Sequence, residues 1–235
     1  WKEAKRLARD LRVDLTRHEW LCATALSVLT DHFKEHNIYP KTFALIGDGD
    51  GFLGALILRC LSSTNIKMYA VDLPIVLVFQ ARTYETSNPR ATMSVLSAVD
   101  NDRQTDITFV HPKDIELIPD GIDCAIALVS MQEMNAFSIA SYFTCLRRRS
   151  TLRSRFYYVG RLLKELPGGE IVSFYDHPCL EDDEVFIDGP CPYLTHFFDQ
   201  CKYPNGPQLL GVRVPFINYW DGASWHRLVR LAPLT

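Results

Sequence analysis

Two rhythms of apolar side chains alternate along this chain. Between residues 16 and 36, Trp20, Leu21, Ala25, Leu29 and Phe33 recur at helical spacing, with Thr16 placed to cap the start and Asn37 and Pro40 to end it. Lys41 to Ile46 predicts a first strand. A glycine-rich loop follows, then a helix through Leu56, Ile57 and Cys60 to about residue 61. Residues 67–72 predict a second strand. Pro74 suits the first turn of a helix that lasts to about Thr86, where Asn88-Pro89 breaks the pattern. Residues 107–111 predict a third strand, and Pro112 to Gly121 a loop or short helix. Asp123 to Ser130 predicts a fourth strand, apolar almost throughout, as a strand buried on both faces should be. A helix from about Asn135 to Arg149 and a fifth strand at Phe156 to Val159 complete the series.

Strands alternating with helices predict a Rossmann-like α/β fold, a mostly parallel sheet with helices on both faces. Such sheets bind ligands beyond the carboxyl ends of their strands, which directs attention to Asp48, Asp72, His111 and residues 130–133. After residue 160 the rhythm changes. Pro167-Gly168-Gly169 makes a turn, Glu170 to Tyr175 predicts a strand, and Glu181 to Glu184 is an acidic run. Pro190, Pro192, Pro204, Pro207 and Pro215 interrupt a tail rich in aromatics, among them Tyr193, Phe197, Phe198, Tyr203, Phe216, Tyr219, Trp220 and Trp225. The division expected is a helical segment over 1–40, a cofactor-binding core over 41–160, and a C-terminal part of the same domain over 161–235. That last part carries some antiparallel strands and an irregular cap on the substrate side.

Composition narrows the class. The 235 residues are 47% hydrophobic, enough for one large core, and the net charge of −3 gives no general attraction to nucleic acid or anionic membrane. The apolar run Leu73 to Phe79 is too short to span a bilayer and contains Pro74. No secretory pattern opens the chain, which starts with Trp1 and is expected to be a piece of a longer protein. Seven scattered cysteines, odd in number, suit buried thiols in a reducing compartment and hence the cytoplasm. Cys179, Cys191 and Cys201 with His177 and His196 make a zinc site imaginable, but no C-x-x-C pair supports it. The basic residues Lys2, Lys5, Arg6, Arg9 and Arg12 read as a solvated helix face, and Arg147-Arg148-Arg149 as a helix end matched to its dipole.

The chemistry concentrates in Gly47-Asp48-Gly49-Asp50-Gly51-Phe52-Leu53-Gly54 between strand and helix. Its last six residues fit the G-x-G-x-x-G nucleotide fingerprint, and Asp72, about twenty residues on, is the acid that binds ribose hydroxyls in such folds. Asp48 and Asp50 favour one cofactor over the other. A pyrophosphate over this loop would meet two carboxylates, and like charges within about 4–6 Å repel. S-adenosylmethionine has no phosphate and carries a cationic sulfonium and ammonium, so it is preferred to NAD.

These features resemble class I S-adenosylmethionine-dependent methyltransferases. Ile46-Gly47-Asp48-Gly49, Gly51-Phe52-Leu53, Val71-Asp72-Leu73-Pro74, Ser130-Met131-Gln132-Glu133-Met134-Asn135, Phe156-Tyr157 with Arg161, Asp183-Glu184-Val185 and Cys191-Pro192 are similar to the sugar O-methyltransferase family, over roughly residues 15 to 200. Asp50 and Gly160 depart from its pattern. The resemblance implies that Gly47, Asp48, Gly49 and Gly51 flank the methionine part of the cofactor and that Asp72 holds the ribose. It places Leu73, His111 and Asp114 against the adenine, and Ser130 and Met131 near the methyl group.

Methyl transfer to oxygen needs alignment and removal of a hydroxyl proton. Glu133, after the fourth strand, is the first candidate base, and His177 beside Asp176 the second. Asp182, Asp183 and Glu184 are oxygen donors for Mg²⁺, although a solvated turn explains them as well, and no metal ligand is assigned. The function expected is O-methyl transfer to a small acceptor, a sugar or sugar-bearing metabolite, with homo-oligomerisation left open. The alternatives are an NAD(P)-dependent oxidoreductase and a non-catalytic methyltransferase-like domain of a larger assembly.

Overall fold

The computed structural model describes residues 1–61, 65–96, 105–195, 208–209, 212–213 and 223–233. His196, Cys201 and the tail aromatics Phe197, Phe198, Tyr203, Phe216, Tyr219 and Trp220 lie outside them. Helix α1 (Lys2–Leu11) buries Ala4, Leu7 and Ala8 and turns its basic residues outward. Helix α2 (Arg17–Glu35) starts where expected. Thr16 accepts from the His18 amide, and Glu19 accepts from the Thr16 amide at 2.6 Å.

The core then runs β1 (Thr42–Ile46), α3 (Phe52–Cys60), β2 (Lys67–Val71), α4 (Pro74–Ser87), β3 (Met93–Val95), β4 (Ile107–Val110), β5 (Ile122–Leu128), α5 (Ala136–Arg149) and β6 (Ser150–Arg161). Past it come β7 (Leu163–Glu165), β8 (Ile171–Ser173), β9 (Glu184–Pro190), α6 (Pro192–Thr195), β10 (Gln208–Leu209), β11 (Val212–Arg213) and β12 (Ser224–Arg230). Eight strands form one sheet in the order β3-β4-β2-β1-β5-β6-β12-β9. The first six are parallel, and β12 runs antiparallel to both β6 and β9. β7–β8 and β10–β11 are separate antiparallel pairs.

Period-two alternation builds both faces. Phe43, Leu45, Cys124, Ile126, Tyr157 and Val159 join α1, α2 and α3 in one apolar cluster. Ala44, Ile46, Ala125, Ala127, Phe156 and Tyr158 join α5 in the other. The expected α/β fold, mostly parallel with an antiparallel C-terminal part, is the fold observed.

Three differences matter. The predicted strand over Glu170 to Tyr175 shrinks to β8, pairs with β7 outside the main sheet, and passes into a 3-10 turn at Phe174–Asp176. The sheet also contains β9 and β12, which no apolar rhythm marks. Asp183 is no metal donor, because Arg147 grips both its oxygens at 2.5 and 2.7 Å with both side chains buried. Among the described residues no group of three or more His, Cys, Asp or Glu side chains can hold a metal ion, and no helix is long and apolar enough to cross a membrane.

The Arg147–Asp183 pair ties α5 to the chain's end, since Arg147 also donates to the Pro178 and Ala232 carbonyls and Asp183 accepts the Leu180 and Ala232 amides. Removing one member strands the other in the interior. Arg147→Met is expected to destabilise the fold by about 3–5 kcal/mol in urea unfolding, against less than about 1 kcal/mol for Arg6→Ala at the exposed Glu3 pair. Equal effects would show that the buried pair is not a fastening.

Candidate cofactor site at the glycine loop

The chain leaves β1 and moves to β2 on one side, and returns to β5 on the other. The carboxyl ends of β1 and β5 therefore flank the opening where ligands bind in open α/β sheets. Gly47 turns there with φ +71°, and a Cβ on it would overlap the Ser130 side chain. That close approach lets the Ser130 hydroxyl donate to the Ile46 carbonyl at 2.5 Å and locks the ends of β1 and β5 together. Val129, next to Ser130, sits at φ +60°, a left-handed conformation that costs a β-branched residue about 1–3 kcal/mol.

Asp48 points into the protein. Its carboxylate accepts from the Leu53 amide at 3.2 Å, the Gly54 amide at 2.9 Å and the Tyr84 hydroxyl at 3.2 Å. Burial pushes it up to about 7 despite those donors. Gly54 is required beneath it, because a Cβ would collide with the Tyr84 hydroxyl. Asp50 stays half-exposed and accepts from the Phe52 amide at 3.0 Å and from His18 Nε2 at 3.2 Å. Partial burial acts to raise Asp50, but His18 and the amide outweigh it and hold the carboxyl below its ordinary range. The Asp50 bond raises His18 in turn. Two internal carboxylates thus fill the first three amides of α3, the donors that an anion would need.

A cavity of about 490 Å³ opens on the other side of the loop. Residues from after β1 and β2 (Gly47, Gly49, Val71, Asp72, Leu73 and Val76), Pro112, and residues from after β5 (Ser130, Glu133, Met134, Asn135, Ser138 and Tyr142) line it. Asp72 accepts from the Leu73 amide at 2.8 Å, Gln80 Nε2 at 2.9 Å and the Gly49 amide at 3.3 Å. Burial raises its carboxyl against these bonds. Glu133 is half-exposed, and its Oε1 receives Gln132 Nε2 at 3.1 Å and faces Lys164 Nζ of β7 at 3.4 Å. A second cavity, about 450 Å³, lies beside Arg90, Asp106 and Asn65, away from the glycine loop.

The structure therefore brings Gly47, Gly49, Asp72, Leu73, Ser130 and Glu133 to one cavity. It sets Asp48 below the loop, packs Gly51 against Gln80, and buries Met131 in the core. His111 follows β4 and accepts the Lys113 amide at 3.1 Å, opening the 3-10 turn that holds Asp114; from this segment Pro112 is the lining residue. His177 does not line the cavity. It is buried against Phe143, Phe174 and Tyr158, and burial, aided by Arg227, lowers it to about 4, which is the setting of a neutral core histidine. Sequence reasoning missed Gln80, Tyr142 and Val129. Gln80 and Tyr84, four apart in an apolar helix, were the available signal, because two polar groups on one buried face need partners.

No protein-family model matches the chain, and no curated protein matches it by sequence. Solved structures do match its fold. An S-adenosylmethionine-dependent methyltransferase from Clostridium acetobutylicum superposes with a TM-score of 0.56 at 11% identity, covering 98% of each chain. The fold is that of the S-adenosylmethionine-dependent methyltransferases. The mitomycin 7-O-methyltransferase MmcR matches with a TM-score of 0.50 at 14% identity over 82% of this chain, and TehB from Haemophilus influenzae with 0.50 at 12% over 87%. This chain spans 49% of the length of MmcR and 62% of that of TehB.

Asp48 gives the methyltransferase-like fold a pH signature. Its carboxyl titrates at about 7 folded and near 4 unfolded, so the folded state holds the proton more tightly. Its contribution is fully present below pH 4 and is lost as pH rises through 7. Asp48→Asn cannot titrate. The stability of wild type relative to this variant should fall by up to about 4 kcal/mol from pH 4 to 7 in denaturant melts. Parallel curves would show that Asp48 is not a buried titrating group.

Proposed function

We propose that the chain is an S-adenosylmethionine-dependent O-methyltransferase acting on the hydroxyl of a sugar or sugar-bearing metabolite. The observation that carries the cofactor is the occupation of α3's first three amides by Asp48 and Asp50. With those amides filled the loop offers a pyrophosphate no free donor, and the half-exposed Asp50 suits a cationic ligand. The fold shared with known methyltransferases supports the same reading, and the sugar acceptor rests on the resemblance of the Val71–Pro74 and Ser130–Asn135 stretches.

When bound, the cofactor supplies a methyl group already activated by its sulfonium. The protein's own work is then binding, alignment and proton removal. Asp72 offers its carboxylate to the ribose hydroxyls from a position braced by Gln80 and the Gly49 amide. Leu73, Val76 and Pro112 present apolar surface to the adenine, with His111 and Asp114 behind them. Gly47, Gly49 and Gly51 keep the loop clear of side chains along the methionine part. Ser130 and the buried Met131 fix the edge beside the methyl group. Glu133 is the base: it lines the cavity, and both its contacts fall on Oε1, leaving Oε2 to accept the hydroxyl proton. Such a base is worth about 10²–10⁴-fold in rate. We assign no metal. Cys22, Cys124 and Cys145 are buried free thiols, which suits the reducing cytoplasm.

Calorimetric titration with S-adenosylhomocysteine and, in parallel, NADH tests the proposal. Micromolar binding of S-adenosylhomocysteine is expected, with none of NADH, and Asp72→Ala should weaken it at least tenfold, the worth of one good hydrogen bond to a charged group. Binding of NADH alone would make the chain an oxidoreductase. Binding of neither would favour a non-catalytic domain.

A further inference from the structure

The net charge of −3 conceals a local surplus of the opposite sign on helix α1. Lys2, Lys5 and Arg9 recur at i, i+3 and i+7, the spacing of one helix face, and Arg12 follows at the helix end. All four are exposed. The acids of this helix are already matched, Glu3 with Arg6 at 2.6 Å and Asp10 with Arg59 of α3 at 2.7 Å. Among the described residues Lys2, Lys5, Arg9 and Arg12 form no ion pair, and Asp14 is an exposed acid past the helix. Two indoles stand at one end of the stripe. Trp1 and Trp20 of α2 meet edge to face at 5.1 Å, and Lys5 Nζ lies 5.5 Å from the Trp1 ring. The two indoles are 47% and 39% exposed, and Val13 and Leu15, which follow the other end of the stripe in sequence, are exposed as well.

Cations beside half-exposed indoles suit the boundary of a bilayer, where headgroups carry charge and indoles settle between water and hydrocarbon. The inner face of α1 sets the depth. Ala4, Leu7 and Ala8 are buried in the core shared with α2 and α3, so the helix lies along a surface rather than entering it. Nucleic acid matches the same charge less well. Bases stack on open ring faces, whereas here the indoles pack on each other and Lys5 lies over Trp1. A phosphate backbone also has no use for the aliphatic Val13 and Leu15.

We propose that the outer side of α1, together with Trp1 and Trp20, docks on an anionic lipid bilayer, its cations on the headgroups and its indoles in the interfacial zone. The proposal stands apart from the methyl-transfer reading and places the chain on a surface without a spanning segment.

Co-sedimentation at physiological salt tests it, with vesicles of phosphatidylcholine containing about one third phosphatidylserine and with vesicles of phosphatidylcholine alone. Binding is expected to the first and not to the second. One cation at such a surface is worth about fivefold in affinity, so the Lys5→Gln, Arg9→Gln double variant should bind about 25-fold more weakly. Its thermal unfolding should match that of wild type, because both side chains are exposed. Trp20→Ala should also lose affinity, although it changes no charge. No binding to the anionic vesicles, equal binding to both kinds, or full affinity in either variant would overturn the proposal. Binding of a single-stranded RNA oligonucleotide in place of the vesicles would overturn it too and give the stripe to nucleic acid.

Discussion

Everything at the functional edge of this protein hangs on one buried carboxylate. Asp48 leaves β1, turns inward, and is met by two amides of α3 and the hydroxyl of Tyr84 from α4. Burying a charge is costly unless it is paired or richly hydrogen-bonded. Here three donors from two helices offset part of that cost, and in doing so they hold both helices against the end of the strand. The same bonds explain why Gly54 has no side chain and why Tyr84 is fully buried.

The chemistry follows from this fastening. With its first amides occupied by Asp48 and Asp50, α3 no longer offers the empty donors that a dinucleotide fold would present. The neighbouring strand ends are tied to the same frame. Asp72 is held by Gly49 and Gln80, and Ser130 by the Ile46 carbonyl. Strain at Val129 is tolerated because its amide bonds the Val159 carbonyl at 2.8 Å and β5 is locked between β1 and β6.

How much of this could be read from the sequence depended on how a residue's neighbours announce themselves. β1, β2, β4, β5 and the Phe156–Val159 stretch of β6 were legible because strands buried on both faces are apolar throughout. β12 was not, since Ser-Trp-His-Arg-Leu-Val-Arg hides three polar side chains in the core, Ser224, Arg227 on Asp188 and Tyr158, and His226 on Tyr157. β9 is an edge strand with little buried surface, and β3 spans three residues. Gly47, Gly49, Asp72, Leu73, Ser130 and Glu133, read in the sequence as lying just past strand ends, line one cavity there. The inward turn of Asp48 was illegible, because a D-x-D pair does not say which acid faces solvent. His177 misled for a related reason. The rings that enclose it, Phe143, Tyr158 and Phe174, come together only through the fold.

The most direct test of the central claim is a crystal structure of the chain with S-adenosylhomocysteine bound. The adenosine should lie in the cavity with its ribose on Asp72, while Asp48 and Asp50 still hold the amides of Phe52, Leu53 and Gly54. A ligand whose polar groups displace those carboxylates from α3, or one bound away from the glycine loop, would contradict the account.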